Sequence, residues 1–194
     1  RLFGDVNTRY HEGPVSFDNH NNLLYFTRNN YLDGKIGKSK DNSNFLKIYQ
    51  ALNKEGNWVE IKELPFNNAE YSCAHPAITP DGLKLYFISN MPGGFGGTDI
   101  YYCDKLDSGW SKPINAGKPL NTIGNELFPS FSDNGILYFA STGHPGLGGM
   151  DIFMYTNDKI KNIGYPINSS FDDFGMCTHN GDKGYFTSNR NGGL

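Results

Sequence analysis

The segment His75-Pro76-Ala77-Ile78-Thr79-Pro80-Asp81-Gly82-Leu83-Lys84-Leu85-Tyr86-Phe87-Ile88-Ser89-Asn90 returns as Phe128-Pro129-Ser130-Phe131-Ser132-Asp133-Asn134-Gly135-Ile136-Leu137-Tyr138-Phe139-Ala140-Ser141-Thr142. The two prolines stand 53 positions apart (76 to 129). Downstream of each copy, Gly93-Gly94-Phe95-Gly96-Gly97-Thr98-Asp99-Ile100-Tyr101 returns as Gly146-Leu147-Gly148-Gly149-Met150-Asp151-Ile152-Phe153. Weaker copies flank these, so that a Tyr-Phe pair begins at positions 25, 86, 138 and 185. Such a period, slightly longer than the roughly 40 to 45 residues of a minimal propeller blade, fits a blade with variable loops.

Within one unit each piece reads as strand or turn. Pro76 to Thr79 is a short first strand, and Pro80-Asp81-Gly82 or Asp133-Asn134-Gly135 is the positive-φ turn into a second. Lys84-Leu85-Tyr86-Phe87-Ile88 is apolar at consecutive positions. Neighbouring strand residues point to opposite faces, so this strand must be buried on both. A one-sided sheet would alternate; a sheet packed between two other sheets would not. A third strand follows at Asp99-Ile100-Tyr101-Tyr102 or Asp151-Ile152-Phe153-Met154. The fourth is expected around Trp110-Ser111-Lys112-Pro113-Ile114 and Ile163-Gly164-Tyr165-Pro166-Ile167, where the proline suits an edge strand. The fold class is therefore all-β: a propeller of four-stranded blades.

Composition agrees. Of 194 residues 37% are hydrophobic and 19% charged, with 24 Gly, 14 Phe, 12 Tyr and 10 Pro, a mixture suited to short strands between tight turns. The net charge of −3, from 17 basic and 20 acidic residues, argues against nucleic acid as a partner. Apolar runs such as Leu83 to Ile88 are far short of the roughly 18 residues that argue a bilayer span. Cys73, Cys103 and Cys177 form no C-x-x-C pair and are read as small hydrophobes rather than zinc ligands.

Blades are expected at about 11–67, 70–118 and 125–168, with a partial one at 175–194, so the chain reads as a single incomplete propeller. Leu2-Phe3-Gly4-Asp5-Val6-Asn7-Thr8 resembles Ala116-Gly117-Lys118-Pro119-Leu120-Asn121-Thr122, as though the chain entered at the tail of a preceding blade. An uncovered inter-blade face of about 400 to 600 Å² would cost about 10 to 15 kcal/mol, so further blades or another chain are expected to cover it. With Arg1 first and no start methionine, the natural N-terminus is expected upstream. In the first blade the link after the second strand is stretched through Tyr31-Leu32-Asp33-Gly34-Lys35-Ile36-Gly37-Lys38-Ser39, either a specificity loop or a tolerated insertion.

The Pro-Asp-Gly turns, the Leu-Tyr-Phe strands and the Gly-Gly-x-Gly-Gly-x-Asp-Ile-Tyr link resemble TolB-type, WD-like β-propellers. The link, together with Ala140-Ser141-Thr142-Gly143-His144-Pro145-Gly146-Leu147-Gly148-Gly149, is similar more narrowly to the propellers of Bacteroidetes envelope proteins of the OmpA family, the PorE-like group of type IX secretion. That resemblance implies a periplasmic, non-enzymatic scaffold whose partners are other envelope proteins in an outer-membrane-associated complex. Peptidoglycan would be reached only through a domain outside this chain. Two further classes stay open: the propeller of a glycoside hydrolase or prolyl-peptidase-type hydrolase, and a carbohydrate-binding or calcium-binding lectin-like propeller.

Chemistry-bearing motifs are few. The glycine-rich links recur between strands with no helix after them, so they read as wide turns whose Asp99 or Asp151 caps nearby amides rather than as phosphate cradles. Gly37-Lys38-Ser39 lacks the first glycine of a phosphate-binding loop, because position 32 is Leu. No Asp-box and no G-x-S-x-G elbow is present, and the five histidines fall at different places in the repeat. No catalytic residue, metal ligand or cofactor is expected. Repeated residues serve the architecture, so binding candidates are sought among the residues that differ just before each first strand. These are Tyr10, His11 and Glu12; Cys73, Ala74 and His75; and Glu126, Leu127 and Phe128, all expected at one mouth of the central channel.

Overall fold

The computed structural model describes residues 2–32, 34–179 and 183–191, among which there are strands and turns but no helix. The first sheet contains β1 (Glu12–Asp18) and β2 (Leu23–Asn29). The long link then folds into a small hairpin of β3 (Tyr31–Leu32) and β4 (Lys35–Ile36), before β5 (Leu46–Lys54) and β6 (Asn57–Glu63) complete the sheet. The second sheet has β7 (Cys73–Ile78), β8 (Lys84–Ser89) and β9 (Asp99–Leu106), with its fourth position split into β10 (Gly109–Trp110) and β11 (Ile114–Asn115), both paired to β9. The third has β12 (Glu126–Phe131), β13 (Leu137–Ser141), β14 (Asp151–Thr156) and β15 (Lys159–Asn162), and the last pair is β16 (Asp173–His179) with β17 (Lys183–Ser188). All these strands meander antiparallel.

Two cores lie between sheets, and a third packs Leu24, Phe26, Tyr49, Ala51 and Trp58 of the first sheet with Val6 of the entering segment. Tyr25, Ile48, Leu64 and Phe66 of the first blade pack with Leu85, Phe87, Tyr101 and Cys103 of the second. Ile88, Ile100 and Leu120 of the second pack with Leu137, Phe139 and Phe153 of the third. Phe87 and Ile88 are adjacent on β8 and serve opposite cores, the two-sided burial that their consecutive apolar pattern predicts. First strands contact one another from blade to blade, β1 on β7, β7 on β12 and β12 on β16, so they gather about a common hub. This is propeller architecture.

The turns follow the expected chemistry. Gly82 at φ +71° and Gly135 at φ +78° close the first hairpins, with their amides bonded to the Thr79 and Ser132 carbonyls at 2.8 and 2.9 Å. In the glycine-rich links Asp99 accepts from the Phe95 and Gly96 amides at 2.5 and 3.1 Å, and Asp151 from the Leu147 and Gly148 amides at 2.9 Å. Gly96 and Gly148 are required by close approach: a Cβ there would lie 2.1 Å from the carbonyl oxygens of Gly124 and Phe171 in the next blade's lead-in loop.

The third blade's fourth strand differs from expectation. It is Lys159–Asn162, ahead of Ile163–Ile167, and Pro166 lies outside any strand. Asn157 and Asp158, at φ +49° and +57°, form a two-residue turn that brings Lys159 directly opposite Thr156, so pairing is complete before the proline is reached. Pro113 likewise sits between β10 and β11 rather than within an edge strand, because it has no amide to give the ladder. Cys73 and Cys103 are free and buried, Cys177 free and exposed. Burial pushes the thiols of the first two up to about 12.

Candidate partner-binding site at the hub

Each first strand is anchored by its lead-in loop before it reaches the hub. The carboxamides of Asn67, Asn121 and Asn168 bind both the amide and the carbonyl of Ile48, Ile100 and Ile152 on the preceding blade's third strand, at 2.7–3.0 Å. One side chain thereby supplies the acceptor for the amide and a second donor for a carbonyl that also takes the Leu64, Ala116 or Ile163 amide at 3.0–3.3 Å. The residue after two of these asparagines closes a second latch. Thr122 donates its amide and hydroxyl to Glu126 at 3.0 and 2.6 Å, and Ser169 does the same to Asp173 at 2.7 and 2.8 Å. Thr8 bonds to Glu12 in the same way at 2.9 and 2.7 Å.

This geometry sorts the residues just before the first strands. Glu126 is wholly buried, takes a third bond from Ser141 at 2.8 Å, and presents nothing to the channel. Cys73, equally buried, occupies the corresponding place in the second blade, 3.8 Å from the Ser89 hydroxyl. Glu12 is half-buried and faces the buried Arg28 at 3.7 Å; Arg28 also donates to the Val6 carbonyl at 2.8 Å. His11 is exposed. Tyr10 turns away toward the first blade's long link, its ring 4.7 Å from that of Tyr31 at 54°, and lines a cavity of about 340 Å³ there.

His75 and Phe128 do come together. Their rings stack at 4.1 Å and 19°, and Phe128 stacks in turn on Phe174 of β16 at 5.0 Å and 27°. Three consecutive first strands thus carry one column of rings. The backbone that holds it is irregular: pairing shifts register between Ala74 and Ala77 and between Leu127 and Ser130, placing His75 at φ +50° and Phe128 at φ +52°. A left-handed conformation costs a residue with a Cβ about 1–2 kcal/mol, so both rings are aimed at the expense of local strain. The following Pro76 and Pro129 fit because a bulge leaves no ladder bond to lose. The His75 amide donates to the Thr27 hydroxyl at 2.8 Å, while its Nδ1 accepts from the Phe128 amide at 3.2 Å, which leaves the neutral ring's proton on Nε2. Burial lowers its pKa to about 4, keeping the ring uncharged in the stack.

Phe174 was not among the sequence candidates. Its aromatic character and position two residues before Met176-Cys177 were visible, but its first strand has Gly175 at φ +66° where the other two have His75 and Phe128, so the ring enters the column from the neighbouring position. Among the described residues no three His, Cys, Asp or Glu side chains meet to hold a metal ion.

Solved structures share the fold. The chain superimposes on TolB from Acinetobacter baumannii with a TM-score of 0.52 and 13% identity, over 94% of this chain and 41% of that one. For a putative TolB from Agrobacterium tumefaciens the values are 0.55 and 17%, over 90% and 52%. A gluconolactonase from Xanthomonas campestris gives 0.57 and 13%, over 97% and 57%. The chain therefore spans about half the length of these structures, and the likeness establishes a TolB-like propeller fold. No protein-family model and no curated protein matches the sequence.

Proposed function

We propose that this chain is part of a non-enzymatic propeller that binds proteins in the periplasm of a bacterial envelope. It would act within an outer-membrane-associated complex tied to the cell wall by a domain outside residues 1–194. The observation that carries the binding role is the His75–Phe128–Phe174 column on adjacent first strands. Aromatic rings fixed on rigid strands lose little freedom on contact, and they are the side chains that dominate protein interfaces. The envelope setting rests on the resemblance of the Gly-Gly-x-Gly-Gly-x-Asp-Ile-Tyr link. Hydrolysis at the hub would need carboxylates free to meet a substrate, whereas Glu126 and Asp173 are held by hydroxyl and amide donors of their own blades.

Affinity capture of the full-length protein from its native envelope tests this reading. Phe128→Gly removes the ring yet relieves the left-handed strain, so the fold should persist. Outer-membrane proteins captured by the parent should fall at least about tenfold with this variant, a loss of about 1.4 kcal/mol. Unchanged capture by both Phe128→Gly and His75→Asn would overturn the proposal.

A further inference from the structure

The first blade's link between its second and third strands covers residues 30–45, where the next two blades use only 90–98 and 142–150. We propose that the cavity built by this extra chain binds a neutral saccharide ring. Its volume of about 340 Å³ lies at the small end of the roughly 300–1,000 Å³ typical of small-molecule sites.

One wall is aromatic. With ring centres 4.7 Å apart, Tyr10 and Tyr31 leave no slot between them; at 54° they form a single bent surface, and Ile36 lines the same cavity. Arg9 bonds to the Tyr10 hydroxyl at 2.9 Å and lies 5.1 Å from its ring centre, which fixes that ring's setting. A bent apolar wall seats the C–H face of a puckered ring, whereas a flat base is held best between parallel faces.

Most of the remaining lining is amide. Asn29, Asn30, Asn42 and Asn44 all line the cavity, and each carboxamide carries both donors and an acceptor, the combination that matches neighbouring hydroxyl groups. Asn44 organises them: its oxygen accepts from the Asn29 side chain and the Asn30 amide, both at 3.2 Å, and its nitrogen donates to the Asn30 and Gly37 carbonyls at 3.2 and 2.8 Å. Gly37 sits so close that a Cβ would lie 2.2 Å from the Asn30 side chain, so the wall is set by packing before any ligand arrives.

Charge argues for a neutral ligand. Among the described lining residues Lys38 is the one cation, already donating to the Asn42 oxygen at 2.7 Å, and there is no carboxylate. An anion would find that engaged ammonium and the Arg9 guanidinium already bonded to the Tyr10 hydroxyl, and a cation no counter-charge among the described lining residues.

The test is a glycan array probed with the full chain, followed by saturation-transfer NMR with the best neutral glycan and with adenosine. Tyr31→Ala removes one ring, and Asn42→Gly removes one amide while suiting the φ of +68° at that position. We expect at least one neutral glycan to bind, each variant to weaken it about tenfold or more, and Phe128→Gly to leave it unchanged. No neutral glycan bound, adenosine bound more tightly, or binding retained in both folded variants would each overturn the assignment. Because Tyr31→Ala leaves the hub column intact, loss of sugar binding and loss of partner capture are separable.

Discussion

His75 is the residue where local strain, hydrogen bonding and ionisation meet. An unfolded histidine takes up a proton near its ordinary value of 6.5, whereas the folded ring does so only at about 4. Between those values the unfolded chain binds more protons, so stability rises with pH across the window. The contribution is complete above 6.5 and is lost as pH falls toward 4. Its full size is about 3 kcal/mol by linkage. Urea unfolding at several pH values from 4 to 7 should show this slope, and His75→Asn, which tolerates positive φ, should flatten it. An unchanged slope in that variant would place the titration elsewhere.

Among the elements, the side-chain clamps matter most to the blades. Asn121 is 2% exposed and serves the amide and carbonyl of Ile100, itself fully buried. Asn121→Ala would orphan the Ile100 amide, while the carbonyl keeps its bond from the Ala116 amide at 3.0 Å, so a loss of about 1–3 kcal/mol is expected in denaturant titrations. Asn121→Asp keeps the acceptor and should lose less; equal losses would show that the bond from the Ile100 amide contributes nothing. These clamps mark the limit of what the sequence discloses. The turn glycines, the capping Asp99 and Asp151 and the doubly buried Leu-Tyr-Phe strands could be read directly, because residue type alone dictates their conformation. Glu12, Cys73 and Glu126 looked like residues that vary between blades. They share one structural place, and Thr8 and Thr122 show what that place requires, but an acceptor for a backbone amide can be glutamate or aspartate and, in the second blade, is replaced by a thiol. The fourth strand of the third blade was misplaced for a related reason: Asn157-Asp158 is a left-handed turn in its fold and an ordinary polar dipeptide in its sequence.

At the scale of the whole molecule, blades are coupled through faces rather than through their own interiors. Phe87 is wholly buried, stacked at 4.5 Å on Phe66 of the first blade and at 6.1 Å on Tyr101 of its own. Ile88, one residue on, faces the third blade. Truncating Phe87 to alanine should therefore cost about 3–5 kcal/mol and open a cavity in one interface only. Hydrogen exchange should accelerate in β2 and β5, which carry Tyr25 and Ile48 of that core, as well as in β8 and β9. Protection in β13 and β14, whose Phe139 and Phe153 pack across the other face, should fall less. Ile88→Ala should reverse the pattern, raising exchange in β13 and β14 above that in β2 and β5. The pair of substitutions thus reads the direction of coupling from adjacent residues on one strand. Faster exchange confined to β7, β8 and β9 in both variants would mean that each sheet holds its own stability, which is incompatible with cores shared between blades.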